Sequence, residues 1–334
     1  MRTRAALAVL TLAAAVGLTA CGTRDPDLDA VAASLAGSPS AAGGAQPIVV
    51  SESGQDEVRT AIGELGGDAA ARAALPADIR ADGVLGVGNI NGVSPPIQFA
   101  PDNDPAHLRG VEIDLRDAVA KVLGLQVKSQ IGTFDSILPG LQSGKYDVGQ
   151  GNFGVTEARK ATIDFSTYYD DGFGFLGSSL PGAWAPDGGT VKALVPDLCG
   201  RAVGTSVGTT FIAKLQDQAS QCTAQGLKPF TVSTFTDAAA YTLALQQGRL
   251  DVFVSTAIGM QYAAQTRPQV LKFLGRVNAE HVGFATRKGS GLAQPLTDAV
   301  NVVIASGLYE QILAAWGVSS AAVPESQVNP PGLR

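Results

Sequence analysis

Two eight-residue stretches constrain this chain more than any other feature. LQSGKYDV begins at position 141 and LQQGRLDV at position 245, and they share Leu, Gln, Gly, Asp and Val in register, with Lys145 matched by Arg249. In each, an apolar helical run ends at a glycine, the usual left-handed helix stop, and a strand follows an aspartate placed in the turn. Taken singly, either stretch is an ordinary helix-to-strand connection. Taken together, in equivalent halves of one chain, they predict two similar lobes whose ligand collects at the carboxyl ends of parallel strands. Five residues past each repeated aspartate stand Asn152 and Thr256, which are expected to face each other across a cleft.

The surroundings of the repeat fit an α/β pattern. GVLGVGNI reads as a strand, and Leu115, Ala118, Val119, Val122 and Leu123 recur at helical spacing before Gly124. Leu125 and Val127 alternate as in a strand, and Phe134, Ile137, Leu138 and Leu141 mark the helix that ends at Gly144. The second half repeats the order: RAVGTSV as strand, Thr209 to Cys222 as helix, KPFTVSTF as strand, Ala238 to Gln247 as helix. With 334 residues and 45% hydrophobic content the chain can bury two cores. A formal net charge of -6 and the lack of a basic run argue against a nucleic-acid partner.

The first residues, MRTRAALAVLTLAAAVGLTAC, place two arginines before an apolar stretch too short to span a bilayer, the pattern of an export signal. Leu18-Thr19-Ala20-Cys21 resembles the bacterial lipobox, so residues 1–20 are expected to be a lipoprotein signal peptide and Cys21 to carry lipid. Cys199 and Cys222 then remain as a pair, expected to form one disulfide in an oxidising compartment. Residues 21–75 are expected to be a lipidated N-terminus and tether, rich in Ala, Gly, Ser and Asp up to Gln46. A helix around Glu57 to Leu65 is allowed within it, and whether residues 47–75 pack on the body is left open.

From about Leu75 to Asn329 the sequence resembles the extracytoplasmic solute-binding proteins of the polar amino acid family, family 3 of the ABC importers. The stretches that carry this are LPADIRADGVLGVG, GVEIDLRDAVAKVLGLQV, FDSILPGLQSGKYDV, VTEARKATIDFSTYY, LCGRAVGTSVGTT, ALQQGRLDV and GLYEQILAAWGV, in the family's order. The resemblance implies the type II periplasmic-binding-protein fold: two α/β lobes, a ligand cleft, and two crossovers near Asp170 to Gly172 and His281 to Phe284. Lobe 1 would comprise residues 76–171 plus 282–334, and lobe 2 residues 172–281. It further implies that Arg159 holds a ligand carboxylate, with Thr156 a hydroxyl donor, Gly154 a backbone amide, Phe134 a side chain against the ligand, and Thr210 a donor from the second lobe.

Physical chemistry supports these roles independently. A guanidinium presents a planar fork that gives a carboxylate two charge-assisted hydrogen bonds. Thr156 reads as a helix N-cap, whose free amides and dipole favour the same anion. Gly208, Thr209 and Thr210 open a helix directly after a strand, which predicts an anion site built from both sides. Two departures stand out. Thr256 occupies the position where amino acid binders present an aspartate to the ligand's ammonium, and Gly151, Asn152 and Gly154 replace the serines often found before the arginine. A threonine cannot neutralise a buried cation. Either another acid serves, with Asp170, Asp171, Asp102 and Glu112 as candidates, or the ligand carries no α-ammonium.

An enzyme on the same scaffold, acting on a small carboxylic acid, is the rival reading. The chain offers only His107, in a polar loop, and His281, near a crossover, as histidines, with Glu157 as a further acid. No metal-spaced cluster or nucleophile elbow accompanies them, and GVLGVG does not match the dinucleotide fingerprint. A sensor that reports to a membrane partner is the second rival. The expectation is a monomeric, non-enzymatic binding protein without cofactor or metal, held outside the cytoplasm by lipid on Cys21. It would deliver a small carboxylate-bearing solute to an ABC permease and its ATPase.

Overall fold

A computed structural model of the chain describes residues 52–90, 95–101, 107–207, 209 and 211–332. The expected signal segment, Cys21, and the tether as far as residue 51 lie outside the described residues. The part of the tether that is described is not one. Helix α1 (Glu52–Glu64) and the short α2 (Ala69–Ala73) bring Val58, Ile62, Ala71 and Leu75 into the largest apolar cluster of the body. Their spacing puts these side chains on inward faces, and burying each of the larger ones offers about 1.5 to 3 kcal/mol, so the packing left open for residues 47–75 is a docked one where it is described.

After α3 (Ala77–Asp82), the first half runs β1 (Val84–Ile90), α4 (Val111–Leu123), β2 (Gln126–Gly132), α5 (Phe134–Gln142) and β3 (Val148–Gln150). The second half runs β5 (Ala202–Ser206), α6 (Phe211–Ala224), β6 (Thr231–Phe235), α7 (Ala238–Gln246), β7 (Val252–Thr256) and α8 (Ala257–Thr266). Between and after them lie two long strands, β4 (Ile163–Ser178) and β8 (Leu271–Arg287), and then α9 (Ala293–Ala305) and α10 (Leu308–Ala315). The strands form one sheet in the order β2-β1-β3-β8-β4-β7-β5-β6.

The order is symmetric about the β8–β4 pair. Within each half the strands are parallel: β1 pairs with β2 and β3, and β5 with β6 and β7. Each half joins the centre antiparallel, β3 to β8 and β7 to β4. Strands β4 and β8 pair from Ile163↔Arg287 to Ser178↔Leu271, with irregularities at Thr167/Tyr169, Asp171/Phe173 and Gly174/Leu176. The crossovers expected near Asp170 to Gly172 and His281 to Phe284 fall in this pair, where Asp170 is opposite His281 and Asp171 opposite Glu280.

The repeat behaves as its letters predict. Gly144 and Gly248 stop α5 and α7 with φ of 75° and 66°, in the left-handed region that glycine enters without a Cβ clash. Lys145 N then bonds Gly140 O at 2.8 Å, and Arg249 N bonds Ala244 O at 3.0 Å. The aspartates match as well. Gly86 N donates to Asp147 Oδ2 at 2.7 Å and Ala202 N to Asp251 Oδ2 at 2.8 Å, while each aspartate's own amide donates to the same partner's carbonyl at 2.9 Å. Each repeated aspartate therefore pins the start of its third strand to the central strand of its half.

Four apolar clusters follow this division. One joins α1, α4, α9 and α10 to the first half, one lies beneath α5 with Ile137, Leu141 and Phe153, and two lie in the second half around Leu198 and Val254 and around Tyr241 and Phe253. Cys199 and Cys222 are bonded, with α-carbons 5.8 Å apart, tying the turn before β5 to the last turns of α6 as expected.

Candidate functional site

The chain leaves β3 through Asn152, whose φ of 56° is left-handed. Asparagine tolerates this better than most residues because its side chain bonds locally, and here that side chain is fully engaged. Its Nδ2 donates to Asp171 Oδ2 at 2.9 Å, its Oδ1 accepts from Tyr169 Oη at 2.9 Å, and its backbone amide donates to Glu112 Oε1 at 2.8 Å. The turn lays residues 153–155 along β8: Gly283 N donates to Phe153 O, Gly154 bridges Val282, and Val155 N donates to His281 O.

That placement fixes Arg159. The side chain returns towards the strand it left, and NH1 donates to Gly154 O at 2.7 Å while the guanidinium lies 5.9 Å from the Phe153 ring centroid. Burial lowers the Arg159 pKa, and the nearby Glu280 carboxylate opposes that shift. Thr156 Oγ1 accepts from Arg159 N at 3.2 Å, so the threonine caps as expected. The helix does not follow: only a single 3-10 turn, Arg159–Ala161, separates it from β4 at Ile163. So short a turn has no macrodipole of note, which removes the helix-dipole contribution expected for the anion. Glu157 is exposed, paired with Lys160 at 2.8 Å and accepting from Gly332 N.

On the second side, Thr209 Oγ1 donates to Ser206 O at 2.9 Å ahead of α6. Gly208 and Thr210 lie outside the described residues, as does the side chain of Phe134, which opens α5. Thr256 is half-buried at the N-cap of α8 and makes no side-chain capping bond. Asn152 and Thr256 do not simply face each other. Between them stands Asp171, which accepts from Asn152 Nδ2 on one side and from Ile258 N, in the first turn of α8, at 3.2 Å on the other. A buried carboxylate on the crossover thus ties the two equivalent strand ends together.

The four acids proposed as ammonium partners separate clearly. Asp171 is buried, with oxygens taken by Gly172 N, Ile258 N and Asn152 Nδ2, and burial raises its pKa to about 6. Glu112 is fully buried, and its Oε1 accepts from Tyr168, Tyr169 and Asn152 N; burial pushes it up to about 7. Asp170 meets His281 Nδ1 at 2.6 Å across the β4–β8 pair. Asp102 lies outside the described residues.

A fifth acid, Glu280, which the sequence did not single out, acts on Arg159. A Cβ placed on Gly154 would lie 2.6 Å from Glu280 Cδ, so the glycine is what lets this carboxylate rest against the strand. Glu280 also feels Lys214, in the first turn of α6, and its Oε2 is buried without a hydrogen-bond partner. Burial raises the Glu280 pKa; Lys214 and Arg159 act in the other direction. A guanidinium and a carboxylate therefore both contact Gly154 or its immediate surroundings, with a lysine from the other half acting on the carboxylate. Among the described residues no group of three His, Cys, Asp or Glu side chains could hold a metal ion, and no helix is long and apolar enough to cross a membrane. His107 is exposed, and His281 is the partner of Asp170.

Known proteins share the family and the fold. Residues 87–319 match the bacterial extracellular solute-binding proteins, family 3. An arginine-binding protein, ArgT of Corynebacterium glutamicum, is 31% identical over 263 residues, covering 77% of this chain and 82% of that protein. The solved structure of an ancestral arginine-binding protein bound to arginine has a TM-score of 0.54 at 30% identity, covering 70% of this chain and 98% of that one. An ancestral amino acid-binding protein described as a precursor of cyclohexadienyl dehydratase has a TM-score of 0.53 at 26% identity, with 72% and 97% covered.

Proposed function

The chain belongs to the bacterial extracellular solute-binding proteins of family 3, and from that premise we propose that it captures a free amino acid between its two lobes and presents it to an ABC importer. Lipid on Cys21 would hold it at the outer face of the cell membrane. We place the lobe boundaries at the crossovers, residues 76–171 plus 282–334 against 172–281, with residues 52–75 joined to the first lobe. The observation that carries the proposal is Arg159: a half-buried guanidinium held by Gly154 O at 2.7 Å, on a turn fixed by the Asn152–Asp171 contact between the halves. Its fork takes the ligand's carboxylate. Thr156, Gly154 and Asn152 would contact the ligand from the first lobe and Thr209 and Thr256 from the second, and the ligand roles that the resemblance implies for Phe134 and Thr210 are part of the proposal. Because only the closed arrangement lets both lobes touch one ligand, binding shifts the protein towards closure.

A thermal-shift panel of free L-amino acids on the mature protein, followed by calorimetric titration of those that stabilise it, tests this. Replacing Arg159 by Ala leaves the ligand carboxylate without its charged donors, a loss of about 1.5 to 3 kcal/mol, so affinity falls about tenfold or more. An Arg159→Ala protein that binds as tightly as the unmodified one removes the central claim.

A further inference from the structure

Thr256 leaves the expected ammonium partner missing, and of the four acids reviewed above the three that are described, Asp170, Asp171 and Glu112, are engaged elsewhere in the fold. Glu280 is different in three respects. It lies on β8 directly opposite Asp171, at the crossover. Its carboxylate rests over Gly154, whose carbonyl holds Arg159. Its Oε2 is buried yet accepts no hydrogen bond, although Arg159 from the first half and Lys214 from the second are both close enough to act on it. A buried carboxylate oxygen without a donor is costly to leave unsatisfied, and a carboxylate beside an anion-binding arginine supplies the opposite pole that a zwitterion needs.

We propose that Glu280 is the residue that binds the ligand's α-ammonium, taking over from the second-lobe position that Thr256 occupies. This rests on the amino acid reading given above. An α-amino acid carries its two charges on one carbon, so their receptors must sit side by side. Arg159 and Glu280 do so about Gly154, whereas Thr256 lies beyond Asp171 at the start of α8. The acid thus comes from the hinge strand, and the ammonium is gripped where the lobes pivot. Gly154 is required for this: any side chain there would meet the Glu280 carboxylate below 3 Å. With both charges held at the crossover and first lobe, the second lobe is left to read the side chain.

The test uses calorimetric titration of the mature protein with L-arginine, L-glutamine and L-histidine, each beside its analogue lacking the α-amino group. The unmodified protein is expected to prefer at least one amino acid over its analogue by about tenfold or more. Glu280→Gln is expected to abolish that preference while changing the affinity for the analogue by less than about threefold. Arg159→Ala weakens both members of a pair. Glu280→Gln that leaves the preference intact, or lowers both affinities equally, overturns the inference; so does an unmodified protein that shows no preference. If Arg159→Ala affects neither ligand, the amino acid reading itself fails, whatever Glu280 does. Unliganded melting curves establish folding, and Glu280→Asp, which withdraws the charge by one methylene, is the second variant: it should shrink the preference without reversing it, and a reversed preference counts against the inference.

Discussion

Residues 147–159 and 251–258 leave equivalent strands from the same aspartate and then part ways. In the second half, β7 continues to Thr256 and turns straight into α8. In the first, β3 stops at Gln150, Asn152 takes a left-handed turn, and the chain runs along β8 before Arg159 folds back. The first strand end is wrapped in polar groups: Glu112, Tyr168, Tyr169, Asn152 and Asp171 form one hydrogen-bonded cluster. The second is plain, and Thr256 makes no capping bond. The duplicated part builds the scaffold, and the unduplicated part carries the proposed site. A symmetric site would bind two ends of a ligand alike; the proposed one sets Arg159 on the first half's turn and Glu280 on the crossover strand beside it.

The largest effect expected from this contrast is at the matched positions five residues past the aspartates. Asn152→Val forfeits two side-chain hydrogen bonds and puts a β-branched residue at positive φ, which together cost about 3 kcal/mol. Asn152→Gly keeps the turn and loses only the bonds, so it should recover roughly half of that. Thr256→Val, at the equivalent position, removes no capping bond and should cost less than about 0.5 kcal/mol. Denaturant titrations of the three proteins measure this, and a Thr256→Val loss as large as that of Asn152→Val would break the contrast.

How much of this was legible depended on whether the signal was local. The repeat, the helix stops at Gly144 and Gly248, and the Cys199–Cys222 pair each depend on residues near one another in sequence or on simple elimination, and the structure has them. Thr156 reads as a helix N-cap because it is a threonine just past a strand end, but β4 begins too soon for a helix to form. The helix at Glu52–Glu64 was half-visible, and its docking was not, since its partners Leu115 and Leu313 lie far along the chain. Glu280 was invisible for the same reason. Nothing in NAEHVGF marks a ligand residue; its meaning comes only from the β4–β8 register, which brings it to Gly154 and Arg159.

A middle-sized effect should separate the polar strand end from the plain one by pH. Burial lifts Glu112 from 4.5 to about 7 and Asp171 from 3.8 to about 6. A carboxyl whose pKa is raised by folding binds its proton more tightly in the native state. Between the unfolded and folded values the native protein therefore holds more protons, and stability falls as pH rises through that window. For Glu112 alone this is on the order of 3 kcal/mol, fully present below about pH 4.5 and lost by about pH 8. Unfolding free energies across that range should decline, and Glu112→Gln, which cannot titrate, should flatten the decline. A slope unchanged in Glu112→Gln would place the titration elsewhere.

The smallest effect tests the half of the comparison that claims sameness. Asp147 and Asp251 each accept a backbone amide from the central strand of their own half, at 2.7 and 2.8 Å, and each returns its own amide to the same residue. The register agrees: Val148 sits opposite Val87 as Val252 sits opposite Val203. Replacing either aspartate by Ala leaves one strand amide, of Gly86 or of Ala202, without its acceptor, and the net worth of such a bond is about 1 kcal/mol. Burial raises the Asp147 pKa, so removing it also relieves some desolvation, which keeps the loss at the modest end. The two single variants should then lose equal stability to within about 0.5 kcal/mol, and the double variant should lose their sum, because the sites lie in different halves with no shared partner. Ligand affinity should be unchanged in both, since neither aspartate touches the Arg159 turn. If instead Asp147→Ala weakened binding and Asp251→Ala did not, the first half's scaffold and site would be coupled through β3, and the separation of duplicated frame from unduplicated site would have to be abandoned.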